Sequence, residues 1–206
     1  MVEGPSEARF LPDQSTTLIR IVIGVDPPSG DGTCGIIVCA RDAAGTAHVL
    51  ADHSVTGLSP EGWARAVADA ARIHSNPLIL SLSKDCPSSP GGEVPATIPT
   101  LIVAESNQGG RMVKSVLHTA DPGLHVKPVT ALVGKAERAA PVTQLFETGR
   151  VLLHGHLPAL EAQLLGMIAG GAYEGPGTSP DRADAMVWAL TELMLGRERA
   201  PSVRAL

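Results

Sequence analysis

The chain has 206 residues, 44% of them apolar and 18% charged, and a formal net charge of −5. That is enough apolar chain for one well-buried domain, which excludes a disordered or coiled-coil protein. The acidic balance excludes a module that works solely by neutralising phosphates, and aromatics at 2% exclude one that grips single strands chiefly by base stacking.

Residues 1–17 mix Gly, Pro, Ser and charge without periodicity and are expected to form a tail or linker stub. The stretch from Leu18 to Val25 is apolar except for Arg20, which predicts a strand covered on both faces and central in a sheet. Pro27 and Pro28 end it and leave Asp26 at its last position. A turn at 29–33 leads to a second apolar strand, Cys34 to Ala40. A turn at 42–45 leads to a third, Thr46 to Ser54, more polar and so nearer an edge. Connections this short predict an antiparallel meander. Ser59 and Pro60 then supply the N-cap and first position of a helix that ends near His74 and turns Trp63, Val67, Ala70 and Ala71 inward.

Residues 76–99 surround the short run LILSL with Pro, Gly and Ser. They are too Pro-rich for a core element and too long for an ordinary connection, so an insertion is expected. The rhythm resumes at Thr100 with LIVAE, a short buried strand ending in Glu105. A helix follows from Arg111 to Ala120 with Met112, Val113, Val116 and Leu117 inward, and then a strand from Leu124 to Thr130. Gly134 to Arg138 reads as a loop leading into a helix from Ala139 to Thr148 that buries Val142, Leu145 and Phe146. A short strand at Val151 to His154 precedes a helix from Leu157 to Ile168, striped by Leu157, Leu160, Leu164 and Ile168. A Gly-rich loop then leads to a final buried helix from about Asp181 to Leu195, and 196–206 form a tail. The domain is therefore expected over 18–195, as an α/β mixed sheet of an antiparallel meander plus parallel strands, with helices on both faces. The ribonuclease H-like fold has this order, with its first strand in the middle of the sheet.

Asp26 and Glu105 each end a buried strand, and Asp184 lies early in a buried helix. By itself Asp26 suits a cap on the turn that follows it as well as it suits a ligand. On neighbouring strands, however, Asp26 and Glu105 lie at the same sheet end. Clustered carboxylates repel unless cations sit between them, and hard oxygen donors suit Mg²⁺. Two such ions are the arrangement for phosphodiester hydrolysis. Asp181, on the same helix face as Asp184, is either a further ligand or a complement to the helix dipole. Arg182 is expected to neutralise this acidic turn or to meet a phosphate. Asn107 and Gln108 are expected to stabilise the turn after Glu105.

The segments IVIGVDPP, CGIIV, LADHSVTGLSPEGWA, LIVAESNQGG, GKAERAAPV, LFETGRV and SPDRADAMVWALTEL run in order from about Ile19 to Leu195. Together they resemble the nuclease domain of the large terminase subunit, the DNA-packaging protein of tailed phages and of gene transfer agents. The resemblance implies a ribonuclease H-like endonuclease that cuts concatemeric double-stranded DNA with two Mg²⁺ or Mn²⁺ ions. It implies Asp26, Glu105 and Asp184 as catalytic metal ligands, with Asp181 as an extra one. Lys135 and Arg138 fall in the loop that meets the DNA backbone, against the plainer reading of a solvated basic loop. The implied partners are an ATPase domain, a small terminase subunit and a portal, in the cytoplasm of a bacterial host. Three cysteines without a CxxC pair, no apolar run near the ~18 residues a membrane span needs and no signal-peptide core agree with that location.

Two departures from the family stand out. The sequence contains no GxxxxGK[ST] phosphate loop, so this chain alone is not expected to be a motor. The segment 76–99 also lengthens a connection that the family crosses in a short loop. These departures leave an inactive prophage-remnant or interaction domain as a rival. A junction-resolving nuclease of the same fold would place its acids similarly, with a more basic surface. GVDPPSGDGTCGIIV also bears a likeness to the first hairpin of actin-like and sugar-kinase ATPases, whose two lobes need a longer chain.

Overall fold

A computed structural model of the chain describes residues 16–75, 98–107, 109–167 and 173–196. Residues 1–15 and 197–206 of the expected tails and 76–97 of the expected insertion lie outside the described residues. Strands β1 (Leu18–Asp26), β2 (Thr33–Asp42) and β3 (Ala47–Asp52) form the antiparallel meander, and β4 (Val55–Thr56) pairs with the start of β2. Strand β5 (Thr100–Glu105) runs parallel to β1, β6 (Val126–Val129) parallel to β5, and β7 (Val151–Leu153) parallel to β3. The order across the sheet is β6-β5-β1-β2-β3-β7, so β1 is paired on both sides, as its two apolar faces require. This is the ribonuclease H-like mixed sheet. Strand β3 is one place in from the edge.

Five α-helices cover the described sheet: α1 (Pro60–His74), α2 (Arg111–Ala120), α3 (Lys135–Glu147), α4 (Pro158–Leu165) and α5 (Asp181–Leu190), the last continued by a π-helical turn at Thr191–Leu195. Ser59 caps α1 by accepting the Gly62 N–H at 3.3 Å. Alternation along β1 divides the core in two. Ile21, Ile23 and Val25 pack with Trp63, Val67 and Leu117 under α1 and α2. Val22 packs with Val142, Leu160, Met186 and Leu190 under α3, α4 and α5. Each large apolar side chain so buried contributes about 1.5–3 kcal/mol.

Helix α5 lies closest to the sheet. A β-carbon on Gly24 would overlap the Ala185 carbonyl oxygen, and one on Gly35 the Asp181 carbonyl oxygen, so only glycine lets the helix backbone rest on β1 and β2. The far end of this helix is tied down by Glu192, which accepts Arg20 Nη2 at 2.7 Å and pairs with Lys127.

Some boundaries differ from the sequence-based expectation. Helix α3 begins at Lys135, four residues before Ala139, because the run KAERAA is a strong helix former and continues through Pro141. Lys135 and Arg138 therefore sit on the first turn of a helix, not in a loop. In α2, Val113 and Leu117 face inward four residues apart, whereas Met112 lies off that stripe and is 59% exposed. In α4, Leu160 is fully buried and Leu164 half-buried; Leu157 precedes the helix, and Ile168 lies outside the described residues. Among the described residues no helix is long and apolar enough to cross a membrane.

Candidate active site

The register of β1 against β5 pairs Val25 with Ala104, so the next residues, Asp26 and Glu105, end at the same edge of the sheet. Across β2 the partner of Asp26 is Gly35, the glycine on which α5 rests. That close approach sets Asp184, fully buried, over the ends of the two strands, with Asp181 one turn earlier. The N-terminus of α5 has no cap from its own chain segment. Gln163 of α4 supplies one, its side-chain oxygen accepting the N–H groups of Arg182 at 2.9 Å and Ala183 at 3.2 Å. Arg182 Nε donates to Asp52 Oδ2 at 2.9 Å. Its charge is thus spent on the end of β3 and not on the acidic turn, because its side chain leaves α5 on the side facing that strand.

Two cations enter the carboxylate group from the first turn of α3. The Lys135 ammonium pairs with Asp184 Oδ2 and donates to Ser179 Oγ at 2.9 Å. Arg138 Nη2 donates to Asp184 Oδ1 at 3.0 Å and lies 3.9 Å from Glu105 Oε2. Its guanidinium sits 4.9 Å from the ring centre of Trp188, whose Nε1 donates to Glu105 Oε2 at 2.8 Å. Its Nη1 donates to the Val133 carbonyl at 3.0 Å. Asn107 secures the turn after Glu105 by accepting the Ala131 N–H at 2.8 Å and donating to the Ala131 carbonyl at 3.4 Å; Gln108 lies outside the described residues.

Burial pushes the Asp26 carboxyl up to about 8, against the opposing charge of Lys135 and with further push from Asp184, Glu105 and Asp181. Burial would lower the Lys135 ammonium, but its hydrogen bond to Asp184 and the charges of Asp184, Asp26 and Asp181 outweigh that and raise it. Burial is thus the main reason Asp26 is shifted toward its neutral form, while Lys135 is held in its charged one. Converging carboxylate oxygens of this kind are the donor set that Mg²⁺ and Mn²⁺ prefer, so the residues fit such ions. As placed, no group of three or more His, Cys, Asp and Glu side chains among the described residues could hold a metal ion; Asp184 turns instead toward Lys135 and Arg138.

Asp26, Glu105, Asp184 and Asp181 are thus brought together, and Arg182 points away. Sequence reasoning missed Trp188, Gln163, Ser179 and the two glycines. Trp188 stands four residues after Asp184 and so shares its helix face, a signal that was present; Gln163 has no local signature because its partner helix is distant in the chain. A mostly apolar cleft of about 1060 Å³ opens beside the site along α3, lined by Val142, Phe146, Leu164, Tyr173 and Met186 among others, and none of Asp26, Glu105 or Asp184 borders it.

The model of the terminase RNaseH-like domain family matches residues 23–193. No curated protein matches the chain. Among solved structures, the large terminase nuclease of thermophilic phage G20c with bound cobalt is similar at a TM-score of 0.58 and 12% identity, over 87% of this chain and 83% of that one. The nuclease domain of the large terminase of bacteriophage SPP1 with bound Mn is similar at 0.51 and 12%, over 84% and 86%. The human cytomegalovirus terminase nuclease domain, soaked in Mn, is similar at 0.52 and 13%, over 85% and 84%. At such identities the likeness is one of fold.

Proposed function

The chain belongs to the terminase RNaseH-like domain family, and from that premise we propose that it is a divalent-metal-dependent endonuclease that cuts concatemeric double-stranded DNA during genome packaging. The observation that carries the reading is the convergence of Asp26, Glu105 and Asp184 at one sheet end, where the register of β1 against β5 and the seating of α5 bring them together. Asp26, Glu105 and Asp184 hold two Mg²⁺ or Mn²⁺ ions, with Asp181 as the adjoining ligand. Metal ions bound there supply Lewis-acid polarisation of the scissile phosphate. Arg138, clamped by Trp188, keeps Glu105 and Asp184 in place and neutralises part of their charge. Lys135 lies at the solvent side of the group, where it meets the DNA backbone. Gln163 and the two glycines fix the helix that carries Asp184.

Residues 18–195 make up the nuclease domain, with 76–99 as an insertion and 1–17 and 196–206 as tails. The partners are duplex DNA and the ATPase, small-subunit and portal components of a packaging machine, working in a bacterial cytoplasm. The test is nicking of supercoiled plasmid with Mn²⁺. Asp26→Ala and Asp184→Asn are each expected to lower the rate by about a hundredfold or more, the scale on which loss of one transition-state electrostatic contact acts. A parent chain that leaves the plasmid intact, or variants that nick as fast as the parent, would overturn the nuclease reading.

A further inference from the structure

We propose that Lys135 is the exchangeable counter-ion of the carboxylate site, leaving Asp184 when a divalent cation binds and then holding a DNA phosphate. The inference rests on the metal-nuclease reading and specifies how that site is loaded. Asp184 is fully buried and contacted by two cations, so any metal ion that reaches it must displace or repel one of them. The two are not equivalent. The Arg138 side chain is 9% exposed and is fixed by the Trp188 ring, the Val133 carbonyl and the approach to Glu105. The Lys135 side chain is 42% exposed, stands on the first residue of α3, and has one further hydrogen bond, to the Ser179 hydroxyl.

The cation with fewer holds and an open path to water leaves first. A lysine stem swings its ammonium group by several bond lengths without moving the helix, whereas the planar guanidinium held over the Trp188 ring and bonded at both ends has no such freedom. Once released, the ammonium stays at the mouth of the carboxylate group, where a strand entering to be cut must bring its phosphates. Metal binding therefore creates a phosphate site, and phosphate binding draws Lys135 off Asp184. By linkage the two events strengthen each other to the same degree.

Calorimetric titration of Mn²⁺ into the parent, Lys135→Met, Lys135→Gln and Asp26→Asn, without DNA, tests the exchange. Both lysine variants are expected to bind Mn²⁺ about tenfold tighter than the parent, the equivalent of ~1.4 kcal/mol. Equal or weaker binding by two variants that melt cooperatively overturns the exchange. Asp26→Asn is expected to bind more weakly, and if it binds like the parent the metal-site reading itself fails, so the two failures are distinguishable. The phosphate half is read by anisotropy of a labelled duplex with and without Ca²⁺, another oxygen-seeking ion. The parent's DNA affinity is expected to rise with Ca²⁺ by several-fold more than that of Lys135→Gln; equal gains would sink it.

Discussion

The Asp26 carboxyl has an ordinary value of 3.8 and is raised to about 8 in the folded chain, with burial as the largest cause. Between those two values the folded state keeps a proton that the unfolded chain has released, so stability falls as pH rises through this window. Asp26→Asn removes the penalty. Without divalent ions the variant is expected to melt above the parent at pH 8 and close to it near pH 4, by about 2–4 °C for each kcal/mol relieved. Circular-dichroism melts at the two pH values measure the difference, and a variant no more stable than the parent at pH 8 contradicts it. Adding Mn²⁺ should then reverse the order, because an ion that binds only the folded parent raises its stability by mass action. Asp26, Glu105 and Asp184 were legible in the sequence because a carboxylate at the end of a buried strand or early in a buried helix needs a reason to be there. Trp188 and Gln163 were not singled out, since their work is done on residues 83 and 19–20 positions away.

Helix α5 is the element on which the site depends, and it is seated by what two residues lack. An added methyl at Gly35 or Gly24 meets helix backbone, which cannot rotate aside as a side chain would, so the helix itself must move. Gly35→Ala is expected to cost about 1–3 kcal/mol, as overpacking does, and to abolish Mn²⁺-dependent stabilisation by carrying Asp184 away from Asp26. Thermal melts with and without Mn²⁺ read both effects; a variant that loses stability but keeps the full metal response would show that helix position does not set the site. The strands of the meander were legible from short turns and apolar runs, and so were α1, with its Ser59 cap, and α2. The start of α3 was obscured by Pro141, which suggests a helix start near Ala139 although the chain is already helical from Lys135. That one boundary decided whether Lys135 and Arg138 were loop residues or helix residues aimed at the acids. The register between β1 and β5 could not be read at all, because parallel pairing is fixed by packing between strands about 80 residues apart in the chain and leaves no local mark.

At the scale of the molecule, a net charge of −5 must coexist with a polyanionic substrate. An acidic chain gains little from the counterion release that drives most non-specific DNA binding, so its contacts have to be few and local. Among the described residues Lys135 and Arg138 are the cations paired with Asp184, and Arg138 is the more firmly held. Few phosphates can then be neutralised, and log K for duplex DNA is expected to fall with log salt with a slope of about −2 to −4, at about −0.9 per phosphate neutralised. Affinity at physiological salt should lie at or beyond the weak end of the ~10⁻⁴–10⁻⁶ M non-specific range. Fluorescence anisotropy of a labelled duplex across a salt series checks both. A slope near −8 would require a broad basic face that 16 Lys and Arg against 21 Asp and Glu do not readily supply. A weak, shallow dependence instead means that something other than this domain holds the DNA in place while it is cut. That division of labour is what the proposed function calls for, with a translocating partner setting where the duplex lies and this domain contributing the sheet edge proposed to bind metal.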